Sequence, residues 1–194
     1  MEITSAQLKE LRDATGISVM QCKKALEEAG GDMDKARIIL QKKGGEIASK
    51  KSDRELGAGV IGAYVHSTHA VAALVYLACE TDFVAKNEDF VLLARDIAMH
   101  VAAQNPLYIA RSEVSEEVLT KAREVFMEEV KDKPVEMQEK ILGGKLDAYF
   151  KDRILLEQPF IKDGEKTIAD LINTGIQKFG ENIVITRISR LSVK

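Results

Sequence analysis

The chain has 194 residues, of which 45% are hydrophobic and 30% charged, a composition typical of a folded globular protein and not of a disordered one. This length fits one domain of ordinary size together with a smaller one. The net charge of -3 argues against nucleic acid as a direct partner, because proteins that bind it usually present a basic field to the phosphates.

Residues 1–50 are predicted to form a small module of three helices. Thr4 and Ser18 each stand three positions before a glutamine, the capping-box pattern that begins a helix, and Asp32 can cap a third. Apolar residues recur at helical spacing within each segment. Glycines suited to a left-handed helix end follow the segments at Gly16, at Gly30 and Gly31, and at Gly44 and Gly45.

The polar stretch 46–55 is predicted to be a basic linker, in part helical, that carries Lys50, Lys51 and Arg54. Residues 56–194 are then the core domain. It begins with two strands, 60–65 and 71–79, which the polar turn 66–69 joins into a hairpin.

A long helix is predicted after the hairpin, with Asn87 as its cap and its end near Asn105 and Pro106. Its apolar residues from Phe90 to Val101 follow the helical period, so one face is buried. His100 lies near the end of this helix, where a positive charge would favour the helix dipole.

The C-terminal part is predicted to contain three more helices and one strand. Two helices cover about 115–132 and 134–157, with Pro134 in the first helical position of the second. Gly143 and Gly144 should weaken or kink that helix. A last helix opens at Thr167 and ends at Phe179, and 182–193 alternates as a third strand. Helices on one face of a small antiparallel sheet of about three strands make the fold α+β.

Two glycine motifs and two histidines invite other interpretations. The stretch GAGVIG at 57–62 matches a dinucleotide-binding fingerprint, but a strand follows it where a helix is required, so its glycines are expected to allow a bend or close backbone approach. The GGK at 143–145 lacks the rest of a phosphate-binding loop. His66 and His69 have no further ligands nearby in sequence, so we expect no metal and no cofactor.

The sequence predicts a cytoplasmic protein without a membrane partner. No apolar run reaches the ~18 residues of a spanning helix. The first ten residues lack a basic segment followed by an apolar one. Cys22 and Cys79 lie far apart without metal-ligand spacing, which fits a reducing compartment.

The stretch CETDFVAKN at 79–87 joins the second strand to the long helix. A phenylalanine is usually buried, so composition alone favours Phe83 as a core anchor with Thr81 capping a turn. The alternative is that Phe83 is held outward for a partner. The residues alone leave both interpretations open.

Several motifs resemble the bacterial elongation factor Ts family in order along nearly the whole chain. They are LRDATG at 11–16, MQCKKAL at 20–26, GDMDKA at 31–36, CETDFVAKN at 79–87, DIAMH at 96–100, NPLY at 105–108, LLEQPF at 155–160 and GENI at 180–183.

This resemblance implies a guanine nucleotide exchange factor for elongation factor Tu, the GTPase that carries aminoacyl-tRNA to the ribosome. It implies that residues 1–50 are a ubiquitin-associated-like (UBA-like) module. The motif Thr81, Asp82, Phe83 and Val84 would dislodge Mg²⁺ from the GTPase, with Phe83 inserted between helices of its G domain. The module would add contacts through Arg12, Thr15, Gly16, Met20, Lys23 and Lys24.

Two departures from the family pattern bear on assembly and contacts. Many members carry a second core copy and a protruding coiled coil, whereas this chain has room for one core copy. It is similar to the short form, which implies a homodimer, and the edge strand 182–193 offers one place for pairing. The turn 66–69 is short and lacks the glycines often found there, which puts contacts from it in doubt.

Three other classes of function remain as alternatives. The three-helix module could make the protein an adaptor for a protein or peptide. An enzyme is disfavoured because no cluster of carboxylate, cysteine and histidine is evident. Nucleic-acid binding through Lys50, Lys51 and Arg54 would show a steep dependence on salt.

Overall fold

A computed structural model describes residues 3–193, so Met1, Glu2 and Lys194, at the ends of the two predicted domains, lie outside it. The helices in this part are α1 (Ser5–Thr15), α2 (Val19–Glu28), α3 (Met33–Lys51), α4 (Asp82–Ala85), α5 (Glu88–Gln104), α6 (Glu116–Val130), α7 (Val135–Lys151) and α8 (Ile168–Phe179). The strands are β1 (Ala58–Val65), β2 (Val71–Cys79), β3 (Pro159–Phe160), β4 (Asp163–Thr167) and β5 (Ile183–Ser192). The predicted α+β class is confirmed.

The main sheet has the order β1-β2-β5, with both pairs antiparallel, so β5 lies at an edge as predicted. Its register places Ile61 opposite Tyr76, and a bulge interrupts the β2–β5 pairing beside Tyr76. The ribbon of β3 and β4 was not predicted, because β3 has only two residues and shows no alternating pattern.

The main core lies between one face of this sheet and the helices α5 and α8. Gly62 of β1 allows the strand to lie against α5, since a Cβ atom there would be 2.2 Å from the carbonyl oxygen of Ala94. Gly59 similarly faces the carbonyl oxygen of Leu77, at 2.6 Å from such an atom. The glycines of 57–62 therefore serve close backbone approach, as predicted.

The predicted helix starts are confirmed by side-chain caps. Thr4 and Ser18 accept hydrogen bonds from the backbone of the glutamines three positions later. Asp32 caps α3. At α5, Asn87 accepts from the Asp89 amide at 2.9 Å, and the helix ends where Asn105 takes a left-handed conformation. Thr167 and Asp170 form the capping box of α8.

The predicted end of the third helix at Gly44 and Gly45 is wrong. Helix α3 continues to Lys51, so much of the predicted linker is helical. The reason is packing: α3 crosses α8, and a Cβ atom on Gly44 would lie 3.3 Å from the carbonyl oxygen of Asn173. Gly44 is thus a contact point between helices and not a helix end. The division into 1–50 and 56–194 stays a prediction.

Helix α7 also differs from its prediction. It ends at Lys151 instead of near 157, it runs through Gly143 and Gly144, and Pro134 is its cap residue and not its first helical residue. Helices α6 and α7 pack against each other over a small separate cluster centred on Phe150 and Ile154. Leu155–Glu157 forms a short 3-10 turn instead of the predicted helix end.

The expectation of a positive charge on His100 is wrong. Its ring is fully buried, and this burial lowers its pKa despite the opposing effect of a hydrogen bond to Gln158. Nδ1 accepts from the Ile161 amide at 3.3 Å, so Nε2 carries the proton and donates to Gln158 Oε1 at 2.9 Å. His100 is therefore a neutral bridge between α5 and the β3 region.

Replacing each neighbouring glycine of α3 by alanine tests the role of Gly44. Gly45→Ala should raise the free energy of unfolding by about 0.5–1 kcal/mol, because alanine favours the helix and the new Cβ would be 3.8 Å from its nearest neighbour, Asn173. Gly44→Ala should give no gain, because its Cβ meets a backbone oxygen. Urea denaturation measures both. Equal stabilisation by the two changes would contradict a close contact at Gly44.

His100 should make stability depend on pH. The unfolded chain takes up a proton on this ring near its ordinary pKa of 6.5, whereas the folded chain does so only at lower pH. The free energy of unfolding should therefore fall more steeply below about pH 6.5 in the wild type than in His100→Gln, and run parallel above it. Urea denaturation across this range measures both slopes. Parallel curves below pH 6.5 would contradict a buried neutral ring.

Candidate partner-binding site

Phe83 lies in α4, a helix of four residues that follows β2. Its side chain is 81% exposed, so the interpretation of Phe83 as a core anchor is wrong. Val84, only 4% exposed, and Ala85 are the residues that enter the core. Successive helical residues point about 100° apart, so burying Val84 and Ala85 turns Phe83 outward.

Thr81 is the cap residue of this helix, so the capping role expected for it is found although Phe83 is not buried. Its hydroxyl oxygen accepts from the Val84 amide at 3.4 Å. The buried thiol of Cys79 lies beneath the turn and contacts the Thr81 carbonyl oxygen, with Sγ to O at 3.2 Å. Burial raises the pKa of this thiol, and the charge of Glu181 raises it further. Cys79 thus packs under the turn as a neutral thiol.

The carboxylate of Glu181, just before β5, holds the start of the turn. Its Oε2 accepts from the amides of Glu80 at 3.1 Å and of Thr81 at 3.0 Å. Its Oε1 accepts from the Thr81 hydroxyl at 2.6 Å. One side chain from 100 residues further along the chain therefore satisfies three donors next to α4.

Glu80 in turn accepts a hydrogen bond from the segment that contains Glu181. Its Oε1 accepts from the Asn182 amide at 2.6 Å and from Arg54 Nη1 at 3.3 Å. The Asn182 bond first, and then the Arg54 charge, hold the pKa of Glu80 below its usual range. The segments 80–81 and 181–182 are thus joined by bonds from both sides.

The end of α3 is joined to the same place. Asn182 Nδ2 donates to the carbonyl oxygens of Ser52 and Arg54, at 3.4 and 3.3 Å. Lys51 Nζ donates to the carbonyl oxygen of Gly180. The N-terminal helices and the Phe83 turn therefore meet at 180–182.

Asp82 is exposed and pairs with Lys86, with Oδ2 to Nζ at 2.6 Å. The hydrogen bond to Lys86, followed by its charge, lowers the pKa of Asp82. Because both side chains lie in water, this pair adds little to stability and leaves the carboxylate available to a partner.

The predicted N-terminal residues lie on the surface beside Phe83 or on the adjoining helix. Phe83, Arg12 and Gly16 line one open cleft of about 460 Å³. Met20, Lys23 and Lys24 are exposed on α2. Thr15 is different, because it is partly buried and its hydroxyl donates to the Leu11 carbonyl oxygen at 2.7 Å. Thr15 therefore has a structural contact of its own.

Ile17 and Ser18, within the predicted stretch, and Asn87 also line this cleft. Sequence reasoning missed three residues that complete it: Lys178, Phe179 and Glu181. Lys178 Nζ bonds to Asp89 Oδ2 at 2.7 Å and lies close over Gly16, whose missing side chain leaves room for it. No local pattern identifies these contacts, because they join positions that are remote in sequence.

Among residues 3–193, no three histidine, cysteine, aspartate or glutamate side chains converge as the ligands of a metal ion would. None of the helices in this part of the chain combines the length and the apolar character needed to cross a membrane.

Comparison with known proteins agrees with the motifs. The family model described as Elongation factor TS matches residues 13–176. The chain is 48% identical to an elongation factor Ts of Thermodesulfovibrio yellowstonii, over 100% of this chain and 97% of that protein. It is 47% identical to one of Thermosipho melanesiensis, over 98% of each chain, and 47% identical to one of Thermotoga petrophila, over 100% of this chain and 97% of that protein. Matches of this length and identity show that the chain belongs to the elongation factor Ts family.

Proposed function

We propose that the protein accelerates GDP release from elongation factor Tu by inserting Phe83 into the GTPase and displacing its Mg²⁺. Membership in the family supports the exchange role, the partner and the place in translation elongation. The single observation that carries the mechanism is the exposed ring of Phe83. It lies on a turn held by the buried Val84 and by hydrogen bonds of Thr81, which pairs with Glu181 and caps α4.

The physical argument starts from how such GTPases hold nucleotide. Backbone amides, a lysine and Mg²⁺ bind the phosphates. Mg²⁺ demands strict octahedral geometry, so a small displacement of its ligands weakens it steeply. A partner that binds best to the displaced arrangement must lower the affinity for GDP. By linkage, an incoming nucleotide must equally weaken the partner, which lets the factor leave again.

A phenylalanine suits this task, since its ring carries a large apolar area on only two rotatable bonds. Asp82 beside it offers a polar contact, and Thr81 and Val84 hold the ring in place. In this scheme the protein performs no chemical step, needs no cofactor and works in the cytoplasm with the translation machinery.

Phe83→Ala should slow GDP release from elongation factor Tu. Aromatic residues at the centre of interfaces often contribute about 2 kcal/mol, which corresponds to roughly 30-fold in the catalysed rate at limiting factor. Release of fluorescent GDP in a stopped-flow instrument measures this rate. The control is Val135→Ala in α7, which removes another exposed apolar side chain, 80% exposed, and should leave the rate unchanged.

The stability of Phe83→Ala must be measured alongside. Because the ring is in water, the free energy of unfolding should change by less than about 0.5 kcal/mol. An unchanged release rate in a folded Phe83→Ala protein would refute the wedge.

We further propose that the N-terminal module contacts the G domain next to Phe83. The shared cleft supports this, because a GTPase surface that receives Phe83 must also lie close to Arg12 and Gly16. Removing residues 1–50 would uncover α8, on which α3 packs, so single substitutions test this better than a deletion.

Met20→Asp should weaken association with elongation factor Tu by roughly tenfold, if a charge replaces an apolar contact worth about 1.4 kcal/mol. The control is Ile38→Asp on α3, since Met20 and Ile38 are similarly exposed, at 70% and 64%. Titration calorimetry with nucleotide-free elongation factor Tu measures both. Equal affinities for the two variants would remove the module from the interface.

We also propose that the protein is a homodimer. The face of the main sheet turned away from α5 exposes a patch of apolar side chains that nothing in residues 3–193 covers. These side chains are Ile61, Val65, Leu74, Tyr76, Val184 and Leu191, with Arg187 and Ser189 beside them on the same face. A contiguous patch of this kind marks an interface. It favours contact through the sheet face, and the β5 edge remains a second place for pairing.

Leu74→Glu should weaken this dimer by about 30-fold or more, because burying a charge without a partner costs roughly 2 kcal/mol or more. Light scattering over a range of concentrations measures the mass. The control is Val135→Glu, on α7 and away from the sheet. A wild-type monomer at high concentration, or a Leu74→Glu protein of unchanged dimer affinity, would contradict contact through this face.

The nucleic-acid alternative loses support from the structure. Of the three basic residues that motivated it, Lys51 is bonded to Gly180 and Arg54 to Glu80. Both side chains therefore already have hydrogen-bond partners within the protein, and the charge of Arg54 is paired with a carboxylate.

A further inference from the structure

We propose that Glu181 is a positioning residue for nucleotide exchange, which fixes the direction of Phe83 without touching the GTPase nucleotide. The inference rests on the proposed role of Phe83 and extends it to a residue outside the Thr81–Val84 motif. Its basis is the geometry of the carboxylate, which accepts from two backbone amides and one hydroxyl at the start of α4.

The turn needs such an external tie because α4 is short. Four residues form little more than one helical turn, and an isolated helix of that length is not stable in water. Val84 and Ala85 anchor its inner side. The remaining constraint on its first turn comes from Thr81, whose hydroxyl accepts from the Val84 amide while donating to Glu181. Glu181 therefore fixes the residue that caps α4.

The bonds to Glu181 are of a strong kind. Hydrogen bonds to a carboxylate are charge-assisted. The bond from the Glu80 amide is partly buried, so water competes less there, whereas the bonds from the Thr81 amide and hydroxyl are exposed. Carboxylate bonds to two consecutive amides also fix the backbone direction of 80–81. Without them the turn gains freedom that must be lost again when Phe83 enters its partner, and that loss weakens productive binding.

The same segment sets the distance between Phe83 and the N-terminal helices. Gly180 and Asn182, on either side of Glu181, bond to the residues that end α3. A shift of this segment would move the ring relative to the cleft it shares with Arg12 and Gly16. Glu181 thus determines the direction of the ring as well as its mobility.

A double-mutant experiment tests this proposal. GDP release from elongation factor Tu is measured with Glu181→Ala, Phe83→Ala and the double variant, and with Glu165→Ala, an exposed glutamate of β4, as control. Glu181→Ala should slow release by about tenfold, the cost of ordering a loosened turn. In the Phe83→Ala background the same change should alter the rate by less than about twofold, because no ring remains to position.

A second variant separates positioning from charge and from folding. In Glu181→Gln the amide oxygen can still accept from both backbone amides, and its NH₂ group can donate to the Thr81 hydroxyl oxygen. Release should stay within about threefold of the wild type, as expected when hydrogen bonds matter more than charge. Amide hydrogen exchange at residues 80–84 should speed up in Glu181→Ala and stay slow in Glu181→Gln, while exchange in the buried helix α5 stays slow in both variants and shows that they are folded.

Each outcome decides between accounts. Equal loss in both Phe83 backgrounds, or equal loss in Glu181→Gln and Glu181→Ala, would overturn the positioning role in favour of a direct contact of Glu181. If Phe83→Ala alone leaves release unchanged, the proposed function of Phe83 fails. A loss in Phe83→Ala with an additive loss in the double variant would overturn only the role of Glu181.

Discussion

The exposed ring of Phe83 depends on the hydrogen bonds behind it. A four-residue helix cannot hold an aromatic side chain in water by itself. Here Val84 and Ala85 anchor it below, and Glu181 fixes the residues that precede it. The surrounding segments are joined in turn, since Glu80 bonds to Asn182 and Arg54, and 180–182 bonds to the end of α3. In the proposed mechanism, a wedge that is already ordered loses little freedom on binding, so more of its contact energy would remain to displace Mg²⁺.

Close backbone contacts place the larger elements around this turn. Gly44 lets α3 approach α8, which carries Lys178 to the cleft beside Gly16. Gly62 lets β1 lie on α5. From β1 the chain turns through the hairpin into β2, which leads directly to α4 and Phe83. In both places the missing side chain serves packing between elements. The N-terminal helices and the core therefore present one continuous surface next to the ring, although α1, α2 and α3 share a small core of their own.

Most of the fold could be predicted from local patterns, and the main errors have a common cause. Caps at Thr4, Asp32, Asn87 and Thr167, and the alternation along β5, depend on residues close in sequence. The helix end at Gly44 was wrong because a glycine in a helix and a glycine after one look alike until the packing partner α8 is known. The expected positive charge on His100 was wrong for the same reason, since the hydrogen-bond partners of its ring, Gln158 and Ile161, are remote in sequence. At the site, composition alone favoured a buried Phe83, which the structure contradicts, whereas the resemblance implied an outward Phe83 and the role of Thr81 to Val84 stays a prediction. Glu181 had no local signal of its role.

The most direct test of the mechanism compares GDP release with and without Mg²⁺. Release of fluorescent GDP from elongation factor Tu is measured with wild-type protein and with Phe83→Ala, first in millimolar Mg²⁺ and then in excess chelator. If the ring acts by displacing the metal, the two proteins should differ widely in Mg²⁺ and converge once the metal is absent. An equal ratio of their rates under both conditions would contradict this account, because Phe83 would then weaken GDP by a route that does not involve the ion.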